Sequence, residues 1–163
     1  MALGDVNIIS PLGNNLPSAR TMRTEANTTV INPGEPVVIG GTNNHYAVAC
    51  ADAKPIASDA TFAGIAASLS NQTVALNGTV DVYPAVPGLV YSCKAKTASA
   101  FDTDAEILAL VNYSVYFDLT SSVYSIDTGN AGNNNTNGLR IVGGDSTSST
   151  VYFTVLPGAV FPS

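Results

Sequence analysis

The sequence predicts an all-β fold: a single small β-barrel or sandwich with one short helix and an extended N-terminal arm. Three observations predict it. Short runs of alternating apolar and polar residues recur from residue 30 onward, turn residues separate them every eight to twelve residues or so, and one isolated helical signal interrupts them. A chain of 163 residues suits one domain, burying roughly 70% of its unfolded surface. The expected organisation is an arm over 1–29 and a barrel domain over 30–163.

The arm contains Gly4, Pro11, Gly13 and Pro17, and its apolar residues follow no sustained period. Leu3, Ile8, Ile9, Leu12, Leu16 and Met22 are too many large apolar side chains for a solvated tail, so the arm is expected to lie on a surface, its own or a partner's. Arg20 and Arg23 sit together there and either pin the arm to a carboxylate-bearing partner or stay solvated near a strand entry. These eight residues are the candidate interface.

Beyond the arm, Val80 and Val82 alternate with Thr79 and Asp81. Tyr113, Val115, Phe117 and Leu119 alternate with Ser114, Asp118 and Thr120, Tyr116 being the exception. Val151, Phe153 and Val155 alternate with Tyr152, Thr154 and Leu156; both faces are apolar, which predicts a strand covered on both sides. Further strands are expected at 37–39, 46–51, 62–66, 89–94, 123–126 and 139–142. Asn77-Gly78 has the composition of a tight hairpin turn, and Pro33-Gly34 and Pro87-Gly88 mark other connections. Thr103 followed by Glu106 is a capping box, which predicts one or two helical turns over 104–111 closing one end of the barrel. The segment 129–138, GNAGNNNTNG, is expected to be mobile and exposed.

Composition narrows the function. Charged residues are 11% of the chain, against roughly 25% in ordinary soluble domains. Mean hydropathy is +0.22, so much of the surface is expected to be buried against other subunits. A net charge of −6 with only six Lys and Arg argues against nucleic acid and anionic membranes as partners. No apolar run approaches the ~20 residues of a spanning helix. The first residues, MALGDVNIISPLG, lack a basic n-region and an uninterrupted apolar h-region, so they are not expected to act as a secretory signal. Cys50 and Cys93, the two cysteines, are expected as buried small apolar residues rather than a disulfide.

Catalytic chemistry finds little support. His45 is the sole histidine, which leaves His/Cys metal sites and catalytic triads short of members. Gly144-Asp145-Ser146 has the lettering of one esterase motif but lacks the helices of that fold. Asp102, Asp104 and Glu106 miss the Gly and the bidentate Glu of an EF-hand loop and fit helix N-terminal acids better. Asp81, Asp102, Asp118 and Asp127 offer an acid pair no more specifically than any acidic β domain, and there is no Trp to floor a sugar site. No phosphate-binding Gly-rich motif occurs. Sequons at Asn27, Asn71, Asn77, Asn112 and Asn134 exceed only slightly the roughly three that so Asn-, Ser- and Thr-rich a chain shows by chance. The expectation is a non-enzymatic structural or binding protein with no catalytic residue, metal or cofactor.

The order NPGEPVVIGG, FAGIAA, NGTVDVYPAVPGLVYSC, the capped acidic turn, LRIVGGDS and TVYFTVLP resembles the small β-barrel decoration, or cement, proteins of tailed-phage heads. The likeness spans roughly residues 28–156. It implies a virion protein on the outer surface of the capsid, often a homotrimer, that clamps neighbouring major capsid protein subunits. The alternative is another virion or surface-binding β module, such as a tail-associated protein, with 129–138 meeting a receptor or glycan.

Overall fold

The computed structural model describes residues 6–9, 16–27, 29–42, 45–132 and 136–162. It is an all-β fold. Strands β2 (Arg20–Thr24), β3 (Pro36–Gly40), β4 (Tyr46–Ala49), β5 (Phe62–Ala66) and β6 (Gly78–Pro84) close into a barrel in the order β2-β4-β3-β5-β6. Strands β1 (Asn7–Ile9), β7 (Val90–Lys94), β8 (Ser114–Val115), β11 (Leu139–Asp145) and β12 (Thr150–Val155) make a sheet ordered β1-β7-β12-β11-β8. Strands β9 (Phe117–Thr120) and β10 (Val123–Ile126) form a separate hairpin, and helix α1 spans Asp104–Leu110.

The period-2 pattern decides which residues fill the barrel. Val37 and Ile39 of β3 and Val80 and Val82 of β6 point inward and meet Ile31, Ala47, Ala63 and Ala66. Strand β5 is buried along its whole length because it serves two cores. Ala63 and Ala66 face the barrel interior, while Phe62 and Ile65 join the second core. Strict alternation would put Ala63 and Ile65 on one face. The switch occurs at Gly64, with φ of +146°, opposite a register shift between Val37 and Val38. A Cβ there would lie 1.9 Å from the Tyr83 carbonyl, so only glycine fits.

The second core lies between the barrel's outer wall, the five-stranded sheet and the hairpin. Tyr91, Leu139, Ile141, Val151 and Phe153 are sealed from water. Phe117 is the hub, with ring centroids 6.0 Å from Phe62, 5.6 Å from Phe153 and 6.2 Å from Tyr124. Such pairs add about 0.5–1.5 kcal/mol beyond their area burial, and here they bind hairpin, barrel and sheet to one another. The Tyr124 hydroxyl donates to the Cys50 carbonyl at 2.6 Å. Cys50 and Cys93 are buried and not joined in a disulfide, as expected, and burial pushes the Cys50 thiol up to about 12.

Both Pro-Gly pairs form the turns they announce. Gly34 and Gly88 take φ of 88° and 87°, and the Glu35 and Leu89 N–H groups donate across the turns to Asn32 and Val86. The capping box is present: Thr103 accepts from the Glu106 N–H, and the Glu106 side chain accepts from the Thr103 N–H. Asn112, at φ of 72°, ends the helix and donates its N–H to Ile141.

Several expectations are corrected. The described parts of 1–29 are not an arm distinct from the rest of the fold: Arg20–Thr24 is a barrel strand between β6 and β4, and Asn7–Ile9 is an edge strand paired with β7. The run 113–120 is two strands in different sheets, broken at Tyr116, and Ser114 and Asp118 on its polar face are buried. The outer face of β12 is only half-covered. Asn77-Gly78 is not a hairpin tip, since Gly78 opens β6 and the Asn77 side chain accepts from the Ala26 N–H. Helix α1 packs along β11 rather than closing the barrel. The described flanks of 129–138 are pinned: Gly132 pairs with Ser114, and Gly138 donates its N–H to the Pro55 carbonyl. Residues 133–135 lie outside the described residues. Strand 139–142 continues to Asp145 through a bulge, while 46–51 ends at Ala49.

Candidate interaction surfaces

The expected interface residues divide into three groups. Leu3 and Leu12 lie outside the described residues. Ile8, Ile9 and Leu16 remain on the surface: Ile8 is half-buried opposite Tyr91, while Ile9 and Leu16 are 38% and 45% exposed. Ile8 and Leu16 meet across a groove of about 360 Å³ walled by Pro33 and Tyr83, with Val6 sealed at its base. The described residues Val6, Asn7, Ile8 and Leu16 therefore line a groove against this molecule's own barrel.

The third group, in β2, is not a single patch. Arg20 and Arg23 are three positions apart, which on a strand places them on opposite faces. Met22 is half-buried and packs against the barrel core. Thr21, on the face of Arg23, donates to the Asp81 carboxylate at 2.6 Å. Arg20 and Thr21 line a second groove of about 340 Å³, whose other walls are apolar, among them Met22, Pro84, Val86, Val160 and Phe161. The Phe161 N–H donates to the Phe62 carbonyl at 2.9 Å, which fixes the far wall.

A third surface went unread in the sequence. At one end of the barrel, Val30, Leu69, Val74 and Leu76 are 42%, 58%, 73% and 67% exposed. The two segments carrying them are laced together: Ser70 N–H donates to Ile31, Asn27 N–H to Thr73, and the Gln72 amide to Thr29. The Thr73 hydroxyl accepts from the Ala75 and Leu76 N–H groups, stiffening the exposed turn. Residues 26–34 and 67–80 contain no charged side chain. That combination, aliphatics without a period in an uncharged stretch, was the available signal.

The principal polar cluster joins the end of β7 to the hairpin. Lys96 Nζ lies 2.6 Å from Asp118 and 3.3 Å from Asp127, both nearly sealed from water. Burial works to raise the Asp127 carboxyl, but hydrogen bonds from Asn130 and Lys96 outweigh it and hold it below the usual aspartate range. The two carboxylates raise the Lys96 ammonium in turn. The two ion pairs clip the hairpin to the end of β7. Among the described residues no group of three or more His, Cys, Asp or Glu is placed to hold a metal ion.

Comparison with protein-family models, curated proteins and solved structures gives no match. Asp145, in the Gly-Asp-Ser run, is engaged by Thr147 and Ser148 in a local turn, and Ser146 donates to Asp104. Each polar group of that motif thus has a structural task.

Proposed function

We propose that this chain is a non-enzymatic decoration protein, binding the outer surface of a tailed-phage head and fastening neighbouring major capsid protein subunits. The observation that carries the reading is the uncharged barrel end, with Val30, Leu69, Val74 and Leu76 exposed on a stiffened turn. Exposed apolar side chains gathered on one face mark a contact with another macromolecule. The segments that carry this face, 26–34 and 67–80, hold no charged residue, so docking there desolvates no ion. The order of sequence phrases resembling cement proteins supports the capsid as that partner. Modest contacts from each copy sum to tight attachment when several copies engage one particle.

The test is co-sedimentation of purified protein with undecorated heads built from the major capsid protein of the same genome. Wild type is expected to pellet with heads, and V74D/L76D to lose at least about tenfold in affinity while keeping its far-UV circular dichroism. Wild type left in the supernatant, or a folded double variant that still pellets, defeats the reading.

A further inference from the structure

We propose that copies of this chain associate head to tail, the exposed face of α1 in one protomer seating in the groove beside Arg20 in the next. The groove requires a particular occupant. Apart from Thr21 its walls are apolar, and Arg20 is its one charged lining residue. Lys54 and Lys96 sit in ion pairs, and Lys94 donates to Ser148 and Thr150. Arg20 has no such partner among the described residues, and Asp81, across β6 from β2, is engaged by Thr21 on the opposite face of the strand. An apolar knob beside a carboxylate would fill the groove and neutralise its rim.

Helix α1 presents that combination. Leu108 is 76% exposed, the most exposed large hydrophobic side chain among the described residues. Asp104 lies four residues earlier and so shares its face. The Ser146 hydroxyl donates to the Asp104 carboxylate at 2.7 Å and steadies it without supplying a positive charge. Ala105 and Ala109 are exposed on either side and small enough to let the helix approach a wall closely. Among the described residues, Leu108 thus has little cover and Arg20 no counter-ion.

The two surfaces belong to different parts of the fold, the groove to the barrel and the helix to the outer side of β11. Each protomer can therefore give one contact and receive another, a heterologous interface that closes into a ring or propagates, depending on its rotation. The contact does not depend on any particle: a protein that binds heads as a monomer would overturn it and leave the head-binding reading intact.

The experiment is solution mass by light scattering across a concentration series, on wild type, R20E, D104R, L108S and R20E/D104R, with circular dichroism confirming the fold of each. Wild type is expected to be oligomeric. R20E, D104R and L108S should each weaken association by at least about tenfold, and the charge-swapped double variant should recover most of that loss relative to either charge reversal alone. L108S keeps the test open if D104R disturbs the first helical turn. A wild type that stays monomeric, association that survives both R20E and L108S, or a folded double variant with no recovery overturns the proposal.

Discussion

Lys96 reaches two carboxylates that are almost closed off from solvent, and the energetics of that clip are set by the residues around it. Thr120 and Ser125 donate to Asp118, and the Asn130 backbone and side-chain amides donate to Asp127, so few lone pairs are left to water. Because the folded Asp127 carboxyl sits below its ordinary value of 3.8, its stabilisation is fully present above that value and is lost as pH falls through the folded one. Hydrogen bonds also lower the carboxyls of Glu25, Glu106 and Asp145, which adds to the same acid limb. D127N keeps the shape and removes the charge. It is expected to lower stability at neutral pH by about 1–3 kcal/mol, and its urea midpoint should converge on that of wild type as pH drops through the acid limb. A gap between the two proteins that stays constant with pH would show that Asp127 contributes through packing alone.

Among the elements, the sequence made legible those whose local chemistry and tertiary setting agree. Strands 62–66 and 123–126 fall on their expected residues, both Pro-Gly turns form, and the capping box marks the start of α1. Where the two disagree, the tertiary setting prevails. Asn77-Gly78 has the composition of a primed turn, yet Gly78 is glycine because a Cβ would come within 2.3 Å of the Gln72 backbone nitrogen. The hairpin that does close with two residues is β9–β10, where Thr120 pairs with Val123 and Ser121 and Ser122 take φ of 52° and 64°. Serine gives no signal for such a turn; the pairing imposes it, and each L-residue held there costs roughly 1–2 kcal/mol. S121N/S122G should relieve part of this and raise stability by about 1 kcal/mol, read as a higher urea midpoint with an unchanged slope. A lower midpoint would mean that the serines make contacts worth more than the backbone strain.

At the scale of the whole molecule, the N-terminal segment could not be assigned from sequence because its strands are completed by distant partners. β1 is three residues long and exists through its register with Ser92, Tyr91 and Val90, while β2 exists through β6, about sixty residues away by the pairing of Arg20 with Val82. Neither has a turn neighbour to announce it. The two strands should respond differently to truncation. Deleting residues 1–19 removes β1 and the buried Val6, uncovers one edge of β7 and leaves all five barrel strands; the expected loss is about 2–3 kcal/mol with cooperative unfolding retained. Deleting residues 1–29 also removes β2, which opens the barrel between β4 and β6, exposes two strand edges and strips Met22 from the core. That protein should lose its cooperative urea transition and aggregate. If it instead unfolded cooperatively with a midpoint equal to that of the shorter deletion, β2 would be an appended strand, and the barrel would draw its stability from β3, β4, β5 and β6 alone.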